Sequence, residues 1–531
     1  MSIAQKNLRG LAPLAIALSL ICLSPSAAAI EGGFDRTFGV HGQVNLTRKL
    51  IAFDMALQAD GKILTASGIG HDGGEIARYN SDGTLDTSFA DGGILDTQTA
   101  FLQTRIAVQS DGKIVFLTPD DGLGPVLGIV LKRYLANGQL DTSFGNGGTQ
   151  RTPLPGFAFA QSLRIQADGK IVVLGQALGP GPREYGFGVV RYDVDGRLDT
   201  SFGNGGKVIA TYDNIISPDE MVIQPDGKLL VLAAYLLFSG GSPQIVLVRF
   251  LPDGRLDTGF GSGGWQFASS IGGGTDQGIA LQADGKILVA APQNSLSSTV
   301  LRFLSDGRAD DSFVSPPLEG RMSDVAVQAD GRIIVAGRKD NPPPSKRTRG
   351  IVMRLNPDGS IDPDFQATTI NYGGVNDRVT TTAIQPDGRI LLFGGELLGD
   401  VNNSGLARVV AKTYCIADSF NPGRYLGFSD SGWFSAANSG RGGTGWGLVG
   451  RGRASVTRGP GGAWEWHSLL ASSTSSPSYN VKGAARLYPN GANPGPGSAL
   501  VIARGAAPVN YVIAERGVNQ HNCSVRPGRS E

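Results

Sequence analysis

The chain has 531 residues, of which 40% are hydrophobic, 18% charged and 78 are glycine. That is enough apolar material for packed cores and too little net charge for a chain disordered throughout. Residues 30–415 carry 34 Lys and Arg against 41 Asp and Glu, and residues 416–531 carry 11 against 5, which is not the concentrated basic patch of a nucleic-acid binder.

Residues 1–29 have the layout of a cleavable export signal. Lys6 and Arg9 supply a positive start, Leu11 to Leu23 is an apolar run, and Ser26-Ala27-Ala28-Ala29 offers small residues for cleavage after Ala29. Leu20-Ile21 stands before Cys22 where a lipid-attachment box would need small residues. No later stretch reaches the ~20 apolar residues of a transmembrane helix. The mature protein is therefore expected to be periplasmic, cell-surface or extracellular, without stable membrane insertion.

From residue 34 onward two short motifs alternate. One is Gln-X-Asp-Gly-(Lys/Arg), with Asp-Gly turns beginning at Asp60, Asp111, Asp168, Asp226, Asp284, Asp330 and Asp387. The other is Leu-Asp-X-Ser-Phe-Gly, or a close variant, with aspartates at Asp35, Asp86, Asp141, Asp199, Asp257, Asp310 and Asp362. One repeat, from Leu198, shows strand candidates at Lys207–Tyr212, Glu220–Gln224, Lys228–Ala234 and Ile245–Phe250. Asp226-Gly227 supplies the positive φ of a tight hairpin. Four short strands per repeat and seven repeats predict a seven-bladed β-propeller.

The first copy, Phe34-Asp35-Arg36-Thr37-Phe38-Gly39, has no strand before it, and the last repeat ends on a strand, Leu406–Tyr414, with no such motif after it. This predicts that Gly33–Phe38 packs beside Leu406–Tyr414 and closes the ring, hiding the edges of an open array.

The paired motifs resemble the delta-60 repeat, an exported bacterial β-propeller family of unknown function. The resemblance covers about residues 34–415 and implies a propeller fold with no agreed activity and no catalytic residues to transfer.

Recurrence itself argues for structure. Phe38, Phe89, Phe144, Phe202, Phe260, Phe313 and Phe365 are expected to pack between blades, and the motif aspartates to satisfy backbone donors of their turns. Arg78, Arg133, Arg191, Arg249, Arg302, Arg354 and Arg408 recur as well. They either ring one face to attract an anion or, the preferred reading, each pair with a local aspartate. Asp193-X-Asp195-Gly196-X-X-Asp199 and Asn356-X-Asp358-Gly359-X-X-Asp362 resemble fragments of calcium loops. Leucine takes the first position in other repeats (Leu135, Leu251, Leu304), so turn chemistry is preferred. No cofactor is predicted, and an isolated calcium ion in one blade stays open. His41, His71, His467 and His521 have no metal-ligand spacing, and neither a nucleophile elbow nor a phosphate loop is present. The mouth of the central channel is the default pocket.

After Cys415 the repeats stop. Residues 416–531 hold Trp433, Trp446, Trp464 and Trp466, with strand candidates at Gly445–Val456, Ala463–Leu470, Val481–Leu487, Ala499–Ala503 and Asn510–Ala514, which predicts a small β-rich domain. Trp464 and Trp466 alternate and so share a face. They are core if buried and a platform for sugar rings if exposed, and a domain this small needs large side chains in its core. Cys415 and Cys523 are expected to form a disulfide in an oxidising compartment. The whole reads as an exported binding or scaffold module whose partner is a protein or a surface polysaccharide. The alternatives are a secreted hydrolase, lyase or lactonase with its site at the channel mouth, and glycan binding by the C-terminal domain.

Overall fold

In the computed structural model, the described residues are 31–411 except 47–49, 69–72, 98–103, 120–127, 154–159, 179–184, 212–214, 237–242, 271–276, 295, 341–346 and 397–402; beyond 411 only strand backbone is described. The described residues contain strands and no helix. Seven four-stranded antiparallel sheets follow one another along residues 43–409. Their inner strands, for blades 1 to 7, are Ile51–Leu57, Arg105–Val108, Ala160–Ile165, Ile215–Ile223, Ile279–Leu281, Arg321–Val327 and Asp377–Ile384. Each inner strand touches that of the next blade, and blade 7 returns to blade 1. The predicted seven-bladed propeller is therefore a closed ring.

The core is a set of layers between blades rather than one centre. One layer, for example, joins Val172, Leu174, Phe187 and Val189 of blade 3 to Leu229, Val231 and Ala233 of blade 4. Middle strands are covered on both faces and read as unbroken apolar runs, as in Leu229–Leu236 (LLVLAAYL). Outer strands such as Lys207–Thr211 have one face in water and alternate.

The repeat and the blade are out of phase. The first strand of the repeat read from Leu198, Lys207–Thr211, is hydrogen-bonded to Tyr185–Tyr192 and is the outer strand of blade 3. The blade that follows starts at Ile215. The Leu-Asp-X-Ser-Phe-Gly segment thus lies within a blade, between its third and outer strands. It acts as a joint because its side chains reach the next blade.

Blade 3 shows the joint. Asp199 Oδ1 accepts hydrogen bonds from the Ser201 amide and hydroxyl at 3.1 and 2.5 Å. Its Oδ2 accepts one from Arg191 Nε at 2.8 Å and lies 3.2 Å from Lys170 Nζ. Arg191 also donates to the carbonyl of Pro252, in a turn of blade 4, and its guanidinium lies 4.5 Å over the centre of the Phe202 ring. Phe202 is fully buried. Gly254 of blade 4 sits against it with φ +88°, and a Cβ there would come within 3.0 Å of the ring, so glycine is required on both steric and conformational grounds. The same Arg–Asp bond, 2.7–2.9 Å, and the same Arg-over-Phe stacking, 4.4–4.7 Å, occur in all seven blades. The motif arginines are thus paired and largely buried, as preferred, and do not form an exposed cationic ring.

Closure follows the predicted contact and extends it. Phe34 bridges Val409, and Asp35 N donates to Arg408 O at 2.8 Å. Beyond the motif, Gln43–Asn45 pairs with Ser404–Val409 and supplies the outer strand of blade 7. Blade 6 needs a next-blade turn against its own joint, and the two ends of the ring build it together. Ala411 O accepts from Arg354, while Glu31 O accepts from Gln366 N at 2.8 Å and Gly32 takes φ +83°.

The strands beyond the ring, between Thr413 and Glu515, form one five-stranded and one three-stranded antiparallel sheet. Trp464 and Trp466 lie on one strand, Trp464–Leu469. Their side chains and those of Cys415 and Cys523 lie outside the described residues, as do the signal segment, His71, Trp433, Trp446, His521 and the side chain of His467.

Two outcomes follow from the joint. Asp35 is wholly buried against Arg408, so Asp35→Ala should lower stability by about 3–5 kcal/mol in equilibrium urea denaturation, the usual effect of stranding one partner of a buried pair. Burial alone would raise Asp199, but the Ser201 hydroxyl and amide, Lys170 and Arg191 outweigh it and hold the carboxyl down at about 2. The Ser312 hydroxyl, ahead of the opposing effect of burial, does the same for Asp310, also at about 2. A depressed native pKa stabilises fully above the unfolded value of about 3.9. Urea midpoints should therefore fall between about pH 4 and pH 2, and Asp310→Asn should flatten part of that slope.

Candidate functional site

The inner strands carry a set of charged groups that no repeat motif announces. Counting back six residues from each Asp-Gly aspartate gives Asp54, Arg105, Ser162, Glu220, Gly278, Asp324 and Thr381 for blades 1 to 7. In blades 1, 3, 4, 6 and 7 the register slips by one residue just before this position, between Ala52 and Asp54 or Pro218 and Glu220, for example. Such a bulge re-aims the side chain that follows it.

These groups meet around the channel axis. Arg105 feels the charges of Asp54, Arg164, Glu220 and Arg378, which come from blades 1, 3, 4 and 7. Asp324 of blade 6 feels Glu220. Only side chains near the axis of a ring can be neighbours of so many blades at once.

Each carboxylate also binds the next blade. Asp54 Oδ2 accepts from Ile106 N at 3.0 Å, Glu220 Oε2 from Ile279 N at 3.4 Å, and Asp324 Oδ2 from Thr382 N at 2.5 Å. Arg105 Nε donates to Gln161 O at 2.7 Å, and Arg164 forms an ion pair with Glu220. At Gly278 the strands of blades 5 and 6 come so close that a Cβ would lie 2.6 Å from Asp324 Cα. The cluster is therefore an inner belt of contacts between blades as well as a polar channel lining.

Burial tilts these groups toward their neutral forms. It raises Asp54 against the pull of Arg105 and raises Glu220 against that of Arg164. Burial, reinforced by the Glu220 carboxylate, pushes Asp324 up to about 8. An acid within the field of a carboxylate can donate and accept protons, and the arginines can hold an anion.

The other sequence candidates are placed as follows. Asp193 Oδ1 accepts from the amides of Asp195 and Arg197 at 2.9 and 2.8 Å, and Asp199 turns away to Arg191. Asp358 Oδ1 accepts from the Ser360 amide and hydroxyl. The calcium-like spacings therefore serve turns. His41 is exposed at φ +56°, at a position where other repeats place Gly92, Gly147, Gly205 and Gly263. Among the described residues no group of three or more His, Cys, Asp and Glu could hold a metal ion.

Asp324 gives this site a measurable signature. A carboxyl raised in the native state from about 3.9 takes up protons on folding, so its contribution to stability falls as pH rises from about 4 to 8. Asp324→Asn should flatten the pH dependence of the urea midpoint evenly across that range, because the unfolded carboxyl is ionised and the native one protonated throughout it.

No curated protein matches the chain. Solved structures it is similar to include a protein of unknown function from Dyadobacter fermentans (14% identity, 58% of this chain and 94% of that one, TM-score 0.34). Others are an α-L-arabinofuranosidase from Fusarium graminearum (10%, 62% and 97%, TM-score 0.38) and a glucose dehydrogenase (14%, 69% and 99%, TM-score 0.35). Residues 58–89, 109–144, 166–202, 224–260, 282–313 and 328–365 match the family described as "Domain of unknown function (DUF5122) beta-propeller". Each match runs from the glutamine of an Asp-Gly turn to the joint phenylalanine of the same blade. The seventh such stretch would run from Gln385 to Phe38, across both ends of the ring. Six stretches of the chain are thus similar to this β-propeller repeat family, and the seventh copy of the same two motifs is split across the closure.

Proposed function

We propose that this chain is an exported binding or scaffold module of the bacterial envelope or its surroundings, built on delta-60-type repeats. It takes its ligand on the face where the inner strands begin. The observation that carries the reading is the asymmetry of the two faces. On one face all seven Asp-Gly turns are alike, each with the glutamine amide donating to the Lys or Arg carbonyl, as Gln58 does to Lys62 at 2.9 Å, and with the glycine amide donating back. At the other face the second strand of each blade ends and the third begins, and the number of residues between them changes from blade to blade, four between Pro292 and Ser297 and seven between Asp340 and Thr348. Uniform turns serve the ring, and variable connections over a rigid scaffold are where binding is placed. The partner is a protein or a surface polysaccharide.

A second reading is favoured by the channel acids. Asp54, Glu220 and Asp324 converge as a secreted hydrolase, lyase or lactonase requires, and Asp324 is a candidate proton donor.

Fractionation of the source cell tests the export claim, with the tagged protein expected outside the cytoplasm and its amino terminus at residue 30. Retention in the cytoplasm with an intact leader would refute it. A panel of polysaccharides and lactones separates the two functional readings. Binding without turnover, unchanged in Glu220→Gln, supports the module. Turnover lost at least about 100-fold in both Glu220→Gln and Asp324→Asn supports the enzyme.

A further inference from the structure

At the channel mouth, blades 6 and 7 depart from the rest. Nine residues before the Asp-Gly aspartate stand Ile51 in blade 1 and Ser217 in blade 4, but Arg321 in blade 6 and Arg378 in blade 7. Arg321 opens its inner strand, and Arg338 stands directly opposite it on the second strand. Facing residues of an antiparallel pair have Cβ atoms about 4.5–5.5 Å apart, and like charges there repel.

No carboxylate among the described residues pairs with either guanidinium. Among the described residues neither the Arg321 nor the Arg338 guanidinium makes a hydrogen bond or an ion pair, and the Nε of each is shielded from water. The other cations nearby are engaged: Lys339 lies 2.8 Å from Glu319, and Arg349 donates to Asp377 at 3.2 Å. The contrast with the seven joint arginines, each held by an aspartate, is complete. The partner of Arg338 on the third strand is Gly350. A Cβ at Gly350 would meet Val379 at 3.2 Å and the Tyr372 ring at 3.4 Å, so this face of blade 6 looks onto blade 7, whose inner strand begins beside Arg378.

We propose that Arg321 and Arg338, at the mouth of the groove between blades 6 and 7, bind an oxyanion, carboxylate or phosphate, borne by an acidic polymer. The inference rests on the binding-module reading and names the chemistry of its ligand. Two guanidinium groups side by side match the planar oxygens of such a group, which supplies the charge the pair lacks.

The full-length protein is titrated with polygalacturonate, polyphosphate and neutral dextran at low salt. The wild type should bind a polyanion and not dextran, and binding should weaken at about 0.5 M salt. The preferred polymer distinguishes carboxylate from phosphate. Arg321→Ala and Arg338→Ala should each weaken binding at least about tenfold, as loss of a charged hydrogen bond does. Lys339→Ala, whose ammonium already has a partner, should change it less than about twofold. Because each arginine variant removes a repulsion, its melting temperature in low salt should equal or exceed that of the wild type, so lost binding is not lost folding. Polyanion binding that is equal in wild type and both arginine variants overturns the site and leaves the module reading standing. A wild type that binds neither polyanion also overturns the site, while capture of a neutral glycan or a protein by the same sample would still support the module.

Discussion

The ring depends on one guanidinium per blade. In each joint the arginine holds the motif aspartate of its own blade, covers the motif phenylalanine, and reaches the carbonyl of a turn in the next. Three demands are met together. A buried charge is paired, a turn carbonyl at the joint has a donor, and an aromatic ring is closed off from water. Burying such a ring contributes about 1.5–3 kcal/mol. Removing the arginine would leave the aspartate only the Lys or Arg of the Asp-Gly turn, as Lys170 for Asp199, and would cost the turn carbonyl its donor and the ring its cover at once, so the joint is stronger than a count of its parts suggests.

The joint also explains the offset between repeat and blade. The recurring unit is the contact between blades, and a contact spans two of them. A repeat centred on it must borrow its first strand from the blade before. In the first repeat that strand is Gln43–Asn45, and the blade it completes is blade 7. Closure by a strand from the opposite end of the chain is a direct product of the phase. The shared turn of Ala411 with Glu31 and Gly32 follows from the same phase.

Much of this was legible because it recurs. Seven Asp-Gly turns, seven phenylalanines and the unpaired first motif were sufficient for blade number, the role of the rings and the place of closure. The blade boundary was not legible, because Lys207–Thr211 has the same local pattern whichever neighbour it bonds. The channel cluster was hidden for the opposite reason. The position of Asp54, Arg105, Glu220 and Asp324 changes residue type along the repeats, with only Asp occurring twice, their neighbours come from distant repeats, and the bulge before most of them breaks the period of two by which strand faces are read. Aligning the copies on the Asp-Gly turn would have exposed both this position and the paired arginines of blade 6.

The seam at blade 7 differs from the other joints in one respect, the length of chain between its halves. Asp35 and Arg408 are 373 residues apart, whereas Asp199 and Arg191 are 8 apart. Until the far end is in place, Asp35 lacks Arg389 and Arg408, and Phe38, already against Ile63 and Tyr79 of blade 1, lacks the guanidinium over its ring. Meeting it costs loop entropy that grows only with the logarithm of length, but contacts so distant in sequence form late and slowly. The last joint to form is also the one whose parting opens the whole ring. Contacts that form after the folding barrier act on the unfolding rate, so a substitution at this seam should shorten the lifetime of the folded protein more than the same substitution at another joint.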